Sequence, residues 1–362
     1  MSQKNSIGFG IMGCGRIAKR HADILHSGEV TAGHLVAVCD PQGDRAKTFS
    51  DTYETPGFLS LSEMLAAHGD DIQAVSILTE SGNHADHAVE VARAGKHVIV
   101  EKPMALTLQD ADRMIEECDK AGVKLFVVKQ NRYNLPVQLA RKAFEAGYFG
   151  KIISGSVRVR WRRDQYYYDQ DDWRGTWEMD GGVFANQASH HVDLLQWFMG
   201  NPVSVYAKSR AALADIECDD TGAALIEFEN GATGIVEATT AARPLNLEGS
   251  LSILGEKGTV VIGGFAVNEI QTWAFEDEAA MKMIEADGGK HNDNPKDVYG
   301  FGHQRYLNNV ADAILGEKAS LVDGLEGRKS LELVSAIYES IESGKEVQLR
   351  YRQHHSRLGR RS

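Results

Sequence analysis

Ile7-Gly8-Phe9-Gly10-Ile11-Met12-Gly13-Cys14-Gly15-Arg16-Ile17-Ala18 is the stretch on which the fold turns. Its first six residues read as a short buried strand. Beyond the glycines, Ile17, His21, Ile24 and Leu25 recur at helical spacing. The join fits G-x-G-x-x-G/A: a tight turn at Gly13, close backbone approach at Gly15, and a small third residue, Ala18, where helix meets strand. A helix N-terminus at such a turn offers free N–H groups and a favourable dipole to phosphate. The next strand, 35–39, ends at Asp40, 25 residues after Gly15. An acid about 20 residues beyond the turn accepts hydrogen bonds from an adenosine ribose and repels a 2′-phosphate. The expected cofactor is therefore NAD rather than NADP.

Working outward, strand and helix patterns alternate through the first 130 residues. Strands are expected at 72–78, 97–100 and 123–128, and a helix at 85–94. A further helix opens at Thr107, with Asp110 three residues on and Leu108, Ala111, Ile115 and Cys118 along one face. This alternation implies an α/β, doubly wound parallel sheet. After about residue 150 the pattern changes. Residues 152–161 alternate, and strands follow at 203–209, 222–228, 232–238, 251–254 and 260–262. Asn230-Gly231 marks a hairpin between two of them. Helical patterns return at 301–314 and 327–343, and 277–300 reads as the least structured part. The expected division is 1–130 for a Rossmann dinucleotide domain and 131–350 for an α+β domain with a mostly antiparallel open sheet. The basic run from Arg352 to Arg361 then forms a flexible tail over 351–362.

Bulk properties narrow the function. A chain of 362 residues exceeds the usual single core, which agrees with two domains. A net charge of −12 argues against a nucleic-acid partner. No apolar run reaches the roughly 18 residues of a membrane span. The N-terminus lacks a secretory pattern, so a cytoplasmic location is expected. Cys14, Cys39, Cys118 and Cys218 form no C-x-x-C pair, so neither a disulfide framework nor a zinc ribbon is indicated. His190, His191 and Asp193 lack a further ligand at metal spacing, and no metal is expected.

Gly95-Lys96-His97-Val98-Ile99-Val100-Glu101-Lys102-Pro103 puts an acid and a lysine at the C-terminal end of a strand, the edge where open parallel sheets bind ligands. With the glycine turn, Thr79…Asn83-His84 and the later Gly181-Gly182…His190-x-x-Asp193, the chain resembles the glucose–fructose oxidoreductase/inositol dehydrogenase/MocA (Gfo/Idh/MocA) family along nearly its whole length. The resemblance implies a cofactor site of Gly13, Gly15, Arg16, Ile17, Asp40, Thr79, Asn83, His84, Glu101, Lys102 and Asn131. It implies that Lys102 supports the alkoxide beside the nicotinamide and that Lys102-Pro103 is a cis bond. It makes His190 the group that exchanges a proton with the substrate hydroxyl, a task suited to a pKa near neutrality. Four residues before that histidine, many family members carry aspartate. This chain has Asn186, a neutral amide able to orient an imidazole but not to stabilise its cation. Asp193 shares a helical face with His190 and fits a packing or a catalytic role equally.

Two features point to an anionic, sugar-like substrate. Arg158, Arg160 and Arg162 alternate along one predicted strand, so they share a face; guanidinium forks suit carboxylate and phosphate, although a charged sheet face or subunit interface explains the stripe as well. Aromatic residues follow at Tyr166-Tyr167-Tyr168 and Trp173-Arg174-Gly175-Thr176-Trp177. These segments, with Gln130-Asn131-Arg132-Tyr133-Asn134 and Asn186-Gln187, resemble one branch of the family, the UDP-N-acetylglucosaminuronate 3-dehydrogenases of bacterial surface-polysaccharide synthesis. That resemblance implies Lys102, Arg132, Tyr133, Arg174, Thr176, Asn186, Gln187 and His190 as substrate contacts. It also implies a homo-oligomer, a tetramer rather than a dimer. A dehydrogenase of a neutral polyol or free sugar, such as an inositol, and a non-catalytic NAD-binding regulator are the competing expectations.

Overall fold

The computed structural model describes residues 6–286, 295 and 298–349. Fourteen strands form two sheets among them. The first joins β1 (Ile7–Met12), β2 (Gly33–Cys39), β3 (Gly57–Phe58), β4 (Ala74–Ile77), β5 (His97–Val100) and β6 (Leu125–Val127) in the order β3-β2-β1-β4-β5-β6, every pair parallel. Its strands are continuously apolar because helices cover both faces: Phe9, Ile11, Val75, Ile77, Val98 and Ile99 are all fully buried. The covering helices are α1 (Arg16–His26), α2 (Gly43–Tyr53), α3 (Leu61–His68), α4 (His84–Arg93) and α5 (Leu108–Ala121). α5 starts as its sequence says, with the Thr107 hydroxyl accepting from the Asp110 amide at 3.1 Å, and stops at Gly122 in the left-handed conformation.

The second sheet runs β13-β12-β11-β7-β10-β9-β8-β14. It comprises β7 (Ile152–Arg160), β8 (Pro202–Arg210), β9 (Thr221–Phe228), β10 (Thr233–Thr239), β11 (Glu248–Gly255), β12 (Gly258–Gly263), β13 (Glu269–Phe275) and β14 (Val347–Gln348). All its pairs are antiparallel except β7 with β10. Asn230-Gly231 makes the β9–β10 turn, with Gly231 at φ +81° and the Asn230 side chain accepting from the Ala232 amide. α6 (Leu135–Glu145) and α8 (Ser189–Met199) lie on one face; the short α7 is Gln165–Tyr168. α8 is buried almost all round, so its polar residues need partners. The other face is open. Ile235 on β10 is directly opposite Leu225 on β9, and Leu225 opposite Tyr206 on β8; these three are 48%, 54% and 43% exposed.

Residues 277–300 were the part with least expected structure, yet Glu278–Ala286 forms α9 there, its Ala280 carbonyl accepting from the Trp273 indole. Residues 287–294, 296 and 297 and the basic tail over 351–362 lie outside the described residues. Two late helices, α10 (Gly302–Leu315) and α11 (Gly324–Ser343), cross back toward the first sheet. Tyr306, Leu307 and Val310 of α10 join the core around β1 and α1. The chain end thereby closes one side of the cleft between the sheets.

Candidate active site

Gly13 follows β1 at φ +94°, a conformation that disfavours any side chain, and a Cβ there would lie 2.9 Å from the Leu78 carbonyl. Its amide donates to Cys39 O at 2.8 Å. Asp40 then braces the turn, its Oδ2 accepting from the Cys14 amide and its Oδ1 from the Gln42 amide, both at 2.8 Å. Each oxygen keeps a lone pair for a ribose hydroxyl. Gly15 leaves the start of α1 without a side-chain cap, so its first N–H groups are free for phosphate. The thiols of Cys14 and Cys39 are pushed up to about 12 by burial and the Asp40 charge, and so are inert.

A cavity of about 620 Å³ runs from this turn along the C-terminal edge of the first sheet. Of the residues expected to hold the cofactor, Gly13, Gly15, Arg16, Ile17, Asp40, Thr79, Asn83, His84, Glu101 and Lys102 all line it. Asn131 does not; it is buried, and its neighbour Gln130 lines the wall instead. His84 ties two loops together, its ring nitrogens 2.8 Å from Pro103 O and 3.1 Å from Thr79 O. The Lys102–Pro103 bond is cis.

Glu101 is buried, and its Oε2 accepts from the Lys102 amide at 2.9 Å. Its Oε1 lies 3.4 Å from His21 Nε2 and 3.7 Å from His303 Nε2. Burial pushes this carboxyl up, but the two imidazoles outweigh it and hold Glu101 well below the usual carboxylate range. Among the described residues, His21, Glu101 and His303 form the one group with ligand atoms within 4.8 Å of each other. The His21–Glu101 contact has hydrogen-bond length.

Lys102 and His190 both line the cavity, close enough for the Lys102 charge to act on the imidazole. His190, in the first turn of α8, is held well below the usual histidine range by burial, then by the Lys102 and Lys129 ammoniums. Its Nδ1 is buried with no hydrogen-bond partner among the described residues. Asn186, the expected orienter of that imidazole, faces elsewhere. Its backbone carbonyl and Oδ1 accept from Lys102 Nζ at 2.9 and 3.1 Å, and its Nδ2 donates to Asp180.

Three expected substrate contacts lie outside the cavity lining. Arg132 is buried and makes a bidentate pair with Asp193, at 2.7 and 2.8 Å, and a further bond to Glu326 at 2.9 Å. Asp193, with Lys129 also 3.8 Å away, therefore serves packing: it neutralises cations beneath α8. Tyr133 packs edge-on to Tyr306, and its hydroxyl donates to Asn309 at 2.7 Å. The Thr176 hydroxyl donates to Trp173 O at 2.7 Å, closing its own turn. Proximity in sequence to a motif does not fix the side of the backbone from which a residue projects. For the arginine stripe, the structure agrees with the charged sheet face rather than with a substrate contact. Arg158 and Arg160 point to the open sheet face and pair with Glu248 and Glu237, while Arg162 pairs with Asp164.

Arg174 and Gln187 do line the cavity, together with Tyr167 and the unforeseen Arg163. Tyr167 stands beneath three guanidiniums, those of Arg16, Arg163 and Arg174, at 5.5, 5.2 and 4.8 Å from its ring centre. Its hydroxyl accepts from Arg174 Nη1 at 2.9 Å. Arg163 was missed because strand alternation stops at Arg160, where β7 ends. His303, from the late α10, carried no local signal at all.

A uniformly parallel sheet, a glycine turn with an acid at the next strand end, and a lysine–histidine pair over the cleft together define an NAD-dependent oxidoreductase. Residues 7–129 match the model of the "Oxidoreductase family, NAD-binding Rossmann fold" and 141–349 that of the same family's "C-terminal alpha/beta domain", so the chain belongs to the Gfo/Idh/MocA family. It is 42% identical to the WlbA dehydrogenase of Bordetella pertussis, solved with NADH and UDP-GlcNAcA, over 96% of this chain and 99% of that one, with a TM-score of 0.87. The corresponding Chromobacterium violaceum structure, with the same ligands, is 41% identical over 97% and 98%, also at 0.87. Myo-inositol 2-dehydrogenase of Thermotoga maritima is 27% identical over 94% of this chain and 98% of its own. The chain is an NAD-dependent dehydrogenase acting on a sugar or polyol hydroxyl. No helix among the described residues is long and apolar enough to cross a membrane.

Proposed function

We propose that the chain oxidises the C3 hydroxyl of UDP-N-acetylglucosaminuronate to a ketone, as a homotetramer. The observation that carries this reading is the arginine and aromatic wall of the cavity, Arg16, Arg163, Arg174, Tyr167 and Trp173. Guanidiniums pair with a diphosphate or a uronate carboxylate in fork geometry, and the rings offer stacking faces. Arg174 already pairs with Asp171 at 2.9 Å, so Arg163 and the remaining Arg174 donors are the groups that a neutral polyol would use least. The 42% and 41% identities to proteins crystallised with UDP-GlcNAcA support the same choice, against 27% to an inositol enzyme.

The glycine turn, Asp40 and Glu101 would hold the cofactor. NAD⁺, when bound, supplies the hydride acceptor. Neutral His190 takes the hydroxyl proton while the Lys102 ammonium stabilises the developing alkoxide, and collapse to the ketone expels hydride. The wall of arginines orients the sugar from its charged end, so that the reacting carbon faces Lys102 and His190. A UDP thermal-shift series tests the substrate class. A specific ligand at a hundredfold excess over its Kd adds about 2.7 kcal/mol of stability, so UDP-sugars should raise the melting temperature by several degrees and myo-inositol should not. A shift with inositol and none with UDP-sugars reverses the assignment in favour of the polyol reading.

A further inference from the structure

Asn186 occupies the position where the family pattern has a carboxylate, yet a carboxylate is present one residue further out. Asp180 is buried, and both its oxygens face donors: Oδ2 accepts from the Gly175 amide at 2.8 Å and Oδ1 from Asn186 Nδ2. This contact fixes the sense of the Asn186 amide. A flipped amide would set its oxygen against Asp180 and its NH₂ against the Lys102 ammonium, losing both bonds. Asn186 Oδ1 therefore faces Lys102 Nζ, and the adjoining backbone carbonyl takes a second Nζ proton. An ammonium has three donors, which leaves one directed to the cavity. The π-helical turn Val183–Gln187 presents the side chain and the carbonyl of Asn186 together, ahead of α8.

We propose that Asp180 is a positioning residue for Lys102, acting through the Asn186 amide to hold the ammonium in place with one proton free for the substrate oxygen. The inference rests on Lys102 acting at the reacting hydroxyl, and extends that reading to a residue that touches neither substrate nor cofactor. Other titratable groups surround the same pair: Lys129 and His190 interact with Lys102, Glu101 accepts from the Lys102 amide, and Arg174, Tyr168 and Cys218 interact with Asp180. Burial pushes the Asp180 carboxyl up, opposed by the Gly175 and Asn186 bonds and by the charges of Lys102 and Arg174.

The donor pattern supplies its own test. In Asp180→Asn the new NH₂ must oppose either the Gly175 amide or the Asn186 NH₂. The exchanged pair Asp180→Asn/Asn186→Asp satisfies every bond again and moves the charge into contact with Lys102. The pH at which Lys102 is half-titrated is measured by competitive acetylation with acetic anhydride and peptide mass spectrometry, which needs no substrate. The expected order is Asp180→Asn lowest, wild type intermediate, and the exchanged pair highest, by about one pH unit over wild type. With a sugar that is turned over, the alkaline limb of kcat should move in the same order, and the exchanged pair should regain most of the activity lost in Asp180→Asn. If Asp180→Asn does not fold, wild type against the exchanged pair decides. Equal titration of Lys102 in the folded variants reduces Asp180 to a loop brace and overturns the proposal. Because acetylation is read without substrate, a wrong sugar assignment leaves this result untouched.

Discussion

His190 and Lys102 line the same cavity but have different surroundings. Burial and two nearby ammoniums hold His190 neutral, ready to accept a proton, while Lys102 keeps two acceptors from Asn186 against its charge. A base whose pKa is depressed in the free enzyme loses function only as pH falls below that depressed value. The acid limb of kcat/KM should therefore lie well below the ordinary histidine value of about 6.5. A limb at or above that value contradicts the burial argument. The Lys102→Ala and His190→Asn variants should each lose at least about a hundredfold in kcat, a typical general acid–base contribution, and fluorescence titration should find NADH affinity nearly unchanged in His190→Asn. A near-wild-type rate in the double variant removes both from the chemistry. At this scale the sequence was readable wherever chemistry demands one residue type at one backbone position. Gly13, Asp40, Glu101, Lys102 and His190 are of that kind, and each lines the cavity. Arg132 and Tyr133 fit the same motif on paper but project into the packing beneath α8 and α10, a matter of backbone direction that no pattern of residue types records.

The elements divide along the same line. β1, β5 and α5 are set by local rules, continuous apolar runs and caps, and lie within a residue or two of expectation. β13 and α9 were not foreseen, because their stability comes from contacts between them, such as the Trp273 indole bond to Ala280 O. The second sheet carries the element-scale consequence. Its inner face is covered by α6 and α8, while Tyr206, Leu225 and Ile235 form an apolar row on the outer one, flanked by the Arg158–Glu248 and Arg160–Glu237 pairs. A contiguous apolar row on an open sheet is unfavourable in water and suits a copy of the same surface. The double variant Leu225→Glu/Ile235→Glu should dissociate the expected tetramer, as read by sedimentation velocity. An unchanged sedimentation coefficient moves the subunit contact elsewhere.

The whole molecule brings together parts far apart in sequence. The turn at Gly13 and Asp40 comes from the first sheet, Arg163, Tyr167 and Arg174 from the segment after β7, and His303 from a helix that crosses back more than 280 residues after His21. Such long-range convergence is why the cofactor half of the cavity was legible early and the substrate half only by resemblance. It is also why the substrate half carries the specific claim: arginines and aromatic rings in the same cavity as the Lys102 and His190 pair. The most direct measurement is the initial rate of NADH formation at 340 nm with UDP-N-acetylglucosaminuronate and with myo-inositol, each over a full concentration range. A kcat/KM for the nucleotide sugar at least about a hundredfold higher is expected, the size of effect when about 3 kcal/mol of charge recognition is lost. Equal or greater efficiency with myo-inositol would contradict it.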